Sequence, residues 1–258
     1  LSDDETSCVG VLGVNPDENR TFIAMAAHFR AQGIAVPEVY AVSEDAVAYI
    51  QEDLGDTALF GIVGSEGSEE LLCRTVRCLP DIQFKGADGF DFSVCHSVCR
   101  FDRRLVLFDL NYFKYCFLKP SGLEFDENRL QDDFERLADD LTSVKTDTFM
   151  YRDFNARNVM IKDGAPCFID FQGGMQGPIY YDVASFVWHA RAGYSQDLKM
   201  RMLDEYLDAL SVYVSVDREA FLETLRLFVL FRTMQILGAY GFRGMVEQKA
   251  AFVVSIPD

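Results

Sequence analysis

A chain of 258 residues with 49% hydrophobic and 25% charged residues is long enough for one large globular domain or for two lobes with a cleft between them. The longest apolar run of the C-terminal third, residues 227–231, is far short of the roughly 20 residues that a membrane-spanning helix needs. The net charge of −17 argues against a nucleic-acid partner, because phosphate binding needs a basic surface.

Seven cysteines without paired spacing, and an opening segment that is not a secretion signal, predict a reduced, cytoplasmic protein with no membrane partner. Cys95, His96 and Cys99 have no fourth ligand at zinc spacing, so no metal site is predicted there. The oligomeric state is left open.

The first fifth of the chain predicts a small α+β unit. Residues 8–14 form an apolar run typical of a strand, and Asn15 and Pro16 then open a helix that ends near Gln32, before Gly33. Residues 37–42 and 46–51 predict two antiparallel strands joined by a turn over 43–45.

Helical patterns dominate after residue 53, over 69–79, 101–118 and 127–142. The second half of 101–118 is apolar almost all round, which predicts a buried central helix; Asp109 and Asn111 on it either line a substrate pocket or are satisfied polar groups of the core. A β-rich stretch over 148–170 and three further helical segments follow. The change of character predicts an N-terminal lobe over 1–54 and a C-terminal lobe over 55–258.

Three polar residues lie at strand ends in the β-rich stretch: Asp153, Asn158 and Asp170. The hairpin between them turns at Asp163-Gly164, a strong turn dipeptide. Mg²⁺ prefers hard oxygen ligands, which Asn158 and Asp170 supply, and Asp153 then remains free to accept a proton from an attacking hydroxyl. Phosphoryl transfer needs these components: a metal, a positioned base and a cleft.

The motifs of this stretch resemble those of a known family. Residues 151–158 read YRDFNARN and resemble the catalytic loop of kinases, and residues 169–171 read IDF and resemble their metal-binding strand, with Gln172 where protein kinases have glycine. The short spacing, together with GP at 177–178 and YDVAS at 181–185, is similar to the aminoglycoside phosphotransferase and choline kinase superfamily. The form of the motifs is closest to bacterial kinases that phosphorylate the anomeric hydroxyl of N-acetylmuramate or N-acetylglucosamine.

The resemblance implies an α+β, protein-kinase-like fold with a small sheet lobe and a larger, mainly helical lobe. It implies Asp153 as the base, Asn158 and Asp170 as Mg²⁺ ligands, and Asp182 as a buried acid that holds the backbone of the catalytic loop. Arg157 is expected to contact a phosphate or the substrate. The backbone over 52–54, formed by Glu52, Asp53 and Leu54, is expected to bind the base of ATP or GTP.

Two departures from the family pattern stand out. Kinases of this fold use a strand lysine, paired with a helix glutamate, to hold the nucleotide phosphates, but residues 1–84 contain no lysine. Glu18 and Glu38 are candidates for the unpaired acid, and Arg20 for a substitute cation. Residues 1–7 are short and polar, so the phosphate-covering hairpin of the fold is expected to be missing before residue 8.

The predicted activity is transfer of the γ-phosphate of ATP (or GTP) to a hydroxyl of a small molecule, preferably the anomeric hydroxyl of an amino sugar. An aminoglycoside, choline or ethanolamine is the alternative acceptor, which the acidic composition favours slightly. A nucleotide-binding module without turnover is the alternative of another class, and the missing lysine is its support.

Overall fold

The computed structural model describes residues 2, 3, 6–96, 98–189 and 191–248. Its strands are, in chain order, β1 (Ser2–Asp3), β2 (Thr6–Leu12), β3 (Val39–Val42), β4 (Ala48–Glu52), β5 (Thr148–Met150), β6 (Val159–Lys162), β7 (Ala165–Phe168) and β8 (Met175–Gly177). Its α-helices are α1 (Pro16–Ala31), α2 (Leu59–Ile62), α3 (Ser68–Arg77), α4 (Leu79–Lys85), α5 (Arg103–Phe113), α6 (Glu127–Thr142), α7 (Tyr180–Val187), α8 (Gln196–Leu210) and α9 (Arg218–Gly241).

The chain divides into two compact units. The first comprises residues 1–100 and 147–216, and the second comprises residues 101–146 and 217–258. This division rests on backbone proximity and is a different partition from the lobes over 1–54 and 55–258, which stay a prediction. No helix in the described part of the chain combines the length and the apolarity that a membrane crossing needs.

A four-stranded antiparallel sheet in the order β1-β2-β4-β3 opens the first unit. The strand predicted over 8–14 is β2, which begins two residues earlier and ends two residues earlier than expected. The sequence predicts no hairpin before residue 8, whereas Ser2 pairs with Ser7 and Asp3 pairs with Thr6. The prediction of no hairpin before residue 8 is therefore corrected. Strand β2 begins at Thr6, and its first two residues pair with β1.

Helix α1 confirms the predicted helix start and ends one residue early. The side-chain oxygen of Asn15 accepts a hydrogen bond from the backbone N–H of Asp17, and Pro16 occupies the first helical position. Gly33 follows the helix with a φ of +76°, a left-handed conformation that glycine adopts without strain. The segment 15–33 is therefore determined mainly by its local sequence.

Two small antiparallel pairs carry the stretch that contains Asp153, Asn158 and Asp170. Strands β6 and β7 form the predicted hairpin over Asp163-Gly164, although β7 ends at Phe168 rather than at residue 170. Strand β5 pairs with β8, which the sequence analysis did not predict. Helices α2 and α4 were likewise not predicted.

An aromatic stack connects helix α1 to the segment after β7. The rings of Phe22 and Phe171 stack with centroids 4.8 Å apart, and Phe22 also stacks on Tyr49 of β4 at 5.3 Å. Phe29 packs edge-on against Phe171 and Phe149 at 5.2 and 4.9 Å. All five rings are buried, so this stack fixes the position of residue 171 relative to helix α1 and the sheet.

The second unit contains α5, α6 and α9, and α5 continues as a π-helix over Lys114–Leu118. The prediction of a buried central helix over 101–118 is wrong in part, because Phe108 and Tyr115 are 67% and 58% exposed. Asn111 donates to the carbonyl of Leu107 in its own helix, and Asp109 accepts from Gln235 of α9. Both polar groups on α5 therefore have partners inside this unit.

Candidate active site

The structure brings Asp153, Asn158 and Asp170 together. Asp153 lies in the loop after β5, Asn158 directly precedes β6, and Asp170 lies two residues beyond β7. The side-chain amide of Asn158 donates to the backbone carbonyl of Asp153 at 2.9 Å and to Oδ2 of Asp170 at 3.1 Å. One amide thus links the loop that carries the predicted base to the segment after β7, which carries the second predicted metal ligand.

The catalytic loop is held from below by Asp182 of helix α7. Its carboxylate accepts hydrogen bonds from the backbone N–H groups of Tyr151 at 2.7 Å and Arg152 at 2.9 Å, and the residue is fully buried. Arg152 has a φ of +75°, which is uncommon for a residue with a side chain. The two bonds to a charged acceptor offset this unfavourable backbone, and the predicted role of Asp182 as a buried loop support is confirmed.

Asn155 is a second loop support, which the sequence analysis missed. Its side-chain nitrogen donates to the carbonyl of Asp153 at 2.8 Å, and its side-chain oxygen accepts from the N–H of Arg157 at 3.1 Å. It caps the short 3₁₀ turn over Ala156–Asn158. An asparagine directly before such a turn is a capping signal that could have identified it.

Tyr151 occupies the position of the histidine in the kinase catalytic loop. Its ring is fully buried, and its hydroxyl donates to the carbonyl of Ile169. Burial, with the nearby charges of Asp170, Asp182 and Asp153, raises the pKa of Tyr151 well above its ordinary value of 10.0. Tyr151 therefore stays a neutral donor that joins the catalytic loop to the strand before Asp170.

The carboxylates of Asp153 and Asp170 are exposed and form no salt bridge with any described lysine or arginine. Asp170 accepts hydrogen bonds from two neutral amides, those of Asn158 and Gln172. A carboxylate and an amide oxygen are hard ligands, and no lysine or arginine among the described residues pairs with the carboxylate of Asp170. The residues present therefore fit a divalent cation at Asn158 and Asp170.

Asp153 lies beside the glycine-rich segment after Asp170. A Cβ built on Gly173 would lie 3.7 Å from Oδ2 of Asp153. This contact shows that the carboxylate of the predicted base faces the segment that follows the predicted metal ligand.

A cavity of about 340 Å³ lies next to this segment, and Glu18 and Gln172 are among the residues that line it. The side-chain nitrogen of Gln172 donates to Asp170 Oδ1 at 3.0 Å and is 3.4 Å from Glu18 Oε1. Of the candidates for the unpaired acid, Glu18 is the one that the structure places here, since Glu38 pairs with Arg30 at 2.9 Å.

The candidate substitute cation, Arg20, pairs with Asp17 at 2.7 Å on the exposed side of helix α1. The contacts of Gln172 with Asp170 and Glu18 were not predicted, although the sequence analysis noted Gln172 directly after the IDF motif.

The predicted nucleotide hinge begins at the last residue of β4 and contacts β6. The carboxylate of Glu52 accepts hydrogen bonds from Lys162 of β6 and, at 3.1 Å, from the N–H of Glu38. The carboxylate of Asp53 accepts from the N–H of Gly55 at 2.9 Å, a bond that lowers the pKa of Asp53, and Leu54 is buried. The segment over 52–54 is thus anchored to the strand that begins directly after Asn158.

Arg157 lies in the same loop as Asp153 and is exposed. Its guanidinium forms no salt bridge with any carboxylate in the described part of the chain. The structure therefore places a cationic side chain near the predicted base without assigning it an internal partner. Among the described residues, no three His, Cys, Asp or Glu side chains form a metal-binding group, including the region of Cys95 and Cys99.

Comparisons with known proteins agree with this architecture. Solved structures with a similar fold include the choline kinase LicA from Streptococcus pneumoniae, with a TM-score of 0.60 and 10% identity over 98% of this chain and 87% of that chain. The amicoumacin kinase hAmiN, solved in complex with AMP-PNP, Ca²⁺ and Ami, has a TM-score of 0.61 and 11% identity over 99% of this chain and 85% of that chain. At these identities the likeness shows the fold alone, and it confirms the predicted protein-kinase-like fold.

Two sequence relatives are both named N-acetylmuramate/N-acetylglucosamine kinase. The one from Neisseria meningitidis serogroup B is 27% identical over 76% of this chain and 58% of its own length. The one from Pseudomonas aeruginosa is 23% identical over 94% of this chain and 72% of its own length. The chain thus spans between 58% and 72% of the length of these relatives.

The family model for the phosphotransferase enzyme family, APH, matches residues 12–222, which include strands β3 and β4, the loop that carries Asp153 and the segment around Asp170. The resemblance inferred from the motifs is confirmed. The chain belongs to the APH phosphotransferase enzyme family, whose kinases use an ATP-type nucleotide and a divalent metal ion, and it has their protein-kinase-like fold.

Proposed function

We propose that this protein transfers the γ-phosphate of ATP or GTP to the anomeric hydroxyl of an amino sugar such as N-acetylmuramate or N-acetylglucosamine. The observation that carries the proposal is the cluster of Asp153, Asn158 and Asp170, joined by the side-chain amide of Asn158. The names of the two bacterial relatives support the choice of acceptor.

Asp153 acts as the base in this proposal. Its carboxylate is exposed, so an acceptor hydroxyl can hydrogen-bond to it. The hydroxyl oxygen forms a bond to the γ-phosphorus while the bond from that phosphorus to the β–γ bridging oxygen breaks, and the nucleoside diphosphate leaves. Because the transition state is loose, the hydroxyl proton passes to Asp153 late, and orientation of the acceptor is the larger part of the residue's contribution.

Asn158 and Asp170 would hold Mg²⁺, which neutralises charge on the transferred phosphate and on the leaving group. The loop supports keep these groups in place: Asp182 holds the backbone before Asp153, and Asn155 holds the carbonyl of Asp153 itself. The backbone over 52–54 would bind the edge of the nucleotide base. The anchoring of Glu52 to Lys162 keeps this segment in register with the strand that follows Asn158.

Arg157 supports an acidic or neutral sugar over a cationic acceptor. N-acetylmuramate carries a carboxylate, and an exposed guanidinium in the catalytic loop is suited to bind it. A cationic aminoglycoside or choline would be repelled by the same side chain. Against this, the net charge of −17 favours a cation at long range, so the acceptor has to be tested directly.

The test measures release of nucleoside diphosphate with Mg²⁺, ATP or GTP, and a panel of amino sugars, aminoglycosides and aminoalcohols. We expect product with an amino sugar, and no product when its anomeric position is blocked by a methyl group. The Asp153→Asn variant should lower kcat by at least about 100-fold while nucleotide affinity changes by less than about twofold. Asp163→Asn, in the exposed turn of the β6–β7 hairpin, is the matched control and should retain activity.

Turnover with a cationic acceptor alone would keep the mechanism but reject the amino sugar. Substantial kcat in Asp153→Asn would remove Asp153 as the base. Nucleotide binding without turnover on any acceptor of the panel would favour the binding-module alternative.

A further inference from the structure

The side chain of Gln172 connects two carboxylates that come from distant parts of the sequence. Its Nε2 donates to Oδ1 of Asp170, two residues away, and lies 3.4 Å from Oε1 of Glu18, 154 residues away on helix α1. The longer contact is a weak hydrogen bond in this structure. The amide is thus placed between the proposed metal ligand and the helix.

The donor of this amide, and not its acceptor, faces the two carboxylates. The opposite orientation would place Oε1 of Gln172 against the two carboxylates, and it would leave Asp170 with the amide of Asn158 as its donor and Glu18 without the donor seen here. In the orientation seen, Oε1 is buried and has no hydrogen-bond partner among the described residues. The amide thus directs its donor at Asp170 and Glu18, while its acceptor has no partner in the described part of the chain.

Glu18 can make such a contact because no cationic side chain in the described part of the chain pairs with it. It forms no salt bridge with any described lysine or arginine, and residues 1–84 contain no lysine that could pair with it from the sheet. In kinases of this fold that keep the strand lysine, a lysine–glutamate pair connects the helix to the bound phosphates. Here the helix glutamate instead lies at the amide of Gln172.

An aromatic stack next to this contact also holds helix α1 against the segment after β7. Phe22, one turn after Glu18, stacks on Phe171, which lies between Asp170 and Gln172 in the chain. Both rings are buried. The aromatic stack and the amide contact therefore connect two successive turns of helix α1 to residues 170–172.

We propose that Gln172 is a positioning residue, which orients the Asp170 carboxylate for the divalent cation by linking it to Glu18 of helix α1. This inference rests on the proposed function, since it assumes a cation at Asp170. Gln172 restricts rotation of the carboxylate through Oδ1, as Asn158 does through Oδ2. Hydrogen bonds of this kind, made to a ligand rather than to the metal, raise metal affinity by fixing the ligand's orientation.

The test measures binding of Mn²⁺ in the presence of AMP-PNP, a non-hydrolysable ATP analogue, through the electron paramagnetic resonance signal of free Mn²⁺. Gln172→Met keeps the length of the side chain and removes the donor, and we expect it to weaken Mn²⁺ binding about 10-fold. Gln172→Asn keeps the amide but is one methylene too short to reach both carboxylates, and we expect a smaller loss. The melting temperature of each variant shows whether it is folded.

A double-mutant cycle tests the part played by Glu18. Glu18→Gln removes the charged acceptor and should weaken Mn²⁺ binding about threefold, whereas Gln172→Met combined with Glu18→Gln should bind no more weakly than Gln172→Met alone. Glu44→Gln, an exposed glutamate in the turn between β3 and β4, is the matched control for the loss of one negative charge. Additive losses in the cycle would mean that Glu18 acts on the cation independently of Gln172 and would overturn the proposal.

Wild-type affinity in folded Gln172→Met, with amino-sugar phosphorylation intact, would reject this inference and leave the proposed function standing. Weakened Mn²⁺ binding in Gln172→Met, with no sugar phosphorylated by the wild type, would reject the acceptor and keep the inference. If wild-type protein bound no Mn²⁺ with AMP-PNP, the cation site at Asp170 and this inference would fall together.

Discussion

Replacing Asp182 by alanine removes the acceptor of two backbone N–H groups under the catalytic loop. These groups belong to Tyr151 and Arg152, at 2.7 and 2.9 Å from the carboxylate, and Asp182 is fully buried. A hydrogen bond to a charged acceptor contributes about 1.5–3 kcal/mol, and a buried donor left without a partner costs a comparable amount. For two donors we expect Asp182→Ala to lower the free energy of unfolding by about 3–5 kcal/mol.

Asp182→Asn should be milder. The amide oxygen can accept from one of the two backbone groups, while the NH₂ group faces the other donor, so we expect a loss of about 2 kcal/mol. The predicted order is therefore wild type, then asparagine, then alanine. A typical domain has a stability of about 5–15 kcal/mol, so both variants can remain measurable in urea.

The assay is equilibrium unfolding in urea, followed by the fluorescence of Trp188, the single tryptophan of the sequence, which directly follows helix α7. Asp208→Asn, an exposed aspartate of helix α8, is the matched control and should change stability by less than about 0.5 kcal/mol. A free energy of unfolding for Asp182→Ala within about 0.5 kcal/mol of the wild-type value would refute the inference that this carboxylate supports the loop.

Two further predictions follow from the contacts of this unit. Lys162→Met removes the partner of Glu52 and should cost about 0.5–1 kcal/mol at pH 7, because Lys162 is 40% exposed and water screens the pair. Burial raises the pKa of Glu52, but the hydrogen bonds from Lys162 and Glu38 and the charges of Lys162 and Arg30 lower it overall. The stabilisation of the fold by this ion pair is therefore present above the ordinary pKa of 4.5 and is lost as the pH falls through the lowered pKa of Glu52. Gly174→Ala should cost at least about 1–3 kcal/mol, since a Cβ there would lie 2.2 Å from the buried ring of Phe149.

The measurement for both is the urea midpoint, taken for the Lys162 variant at pH 7 and again near pH 3. A stability difference between Lys162→Met and the wild type that stays constant over this range would contradict the ion-pair reasoning. For Gly174→Ala the control is Gly10→Ala, where a Cβ meets nothing within 4 Å and stability should hold or rise by about 0.5 kcal/mol. Equal stability of the two alanine variants would contradict this prediction, because it would show that the residues around Phe149 can shift to accommodate the Cβ at little cost in free energy.

The parts of this protein that were predictable from the sequence are those determined by neighbouring residues. Helix α1 begins where Asn15 and Pro16 predict and ends within one residue of the end that Gly33 predicts, because capping and left-handed backbone are local properties. The approach of Asp153, Asn158 and Asp170 was predictable for a similar reason. They lie within 18 residues of one another around a single hairpin, so the Asp163-Gly164 turn brings their strand ends together.

The exposure of helix α5 was not predictable in this way. Its apolar residues are distributed almost all round the helix, and the pattern alone does not show which side is covered. Strand β8 was missed because the residues before it are glycine-rich and because its three residues have little β-propensity. It exists as a strand because β5 supplies a hydrogen-bonding partner.

The sequence by itself therefore determined the family, the proposed chemical groups and the local elements that carry them, since motif spacing and capping act over a few residues. Tertiary structure alone decided that Glu18, and not Glu38, faces the site, and that Gln172 lies between it and Asp170. The physical reason is separation along the chain: residues 154 positions apart meet only after the aromatic stack around Phe171 has packed helix α1 against the segment after β7.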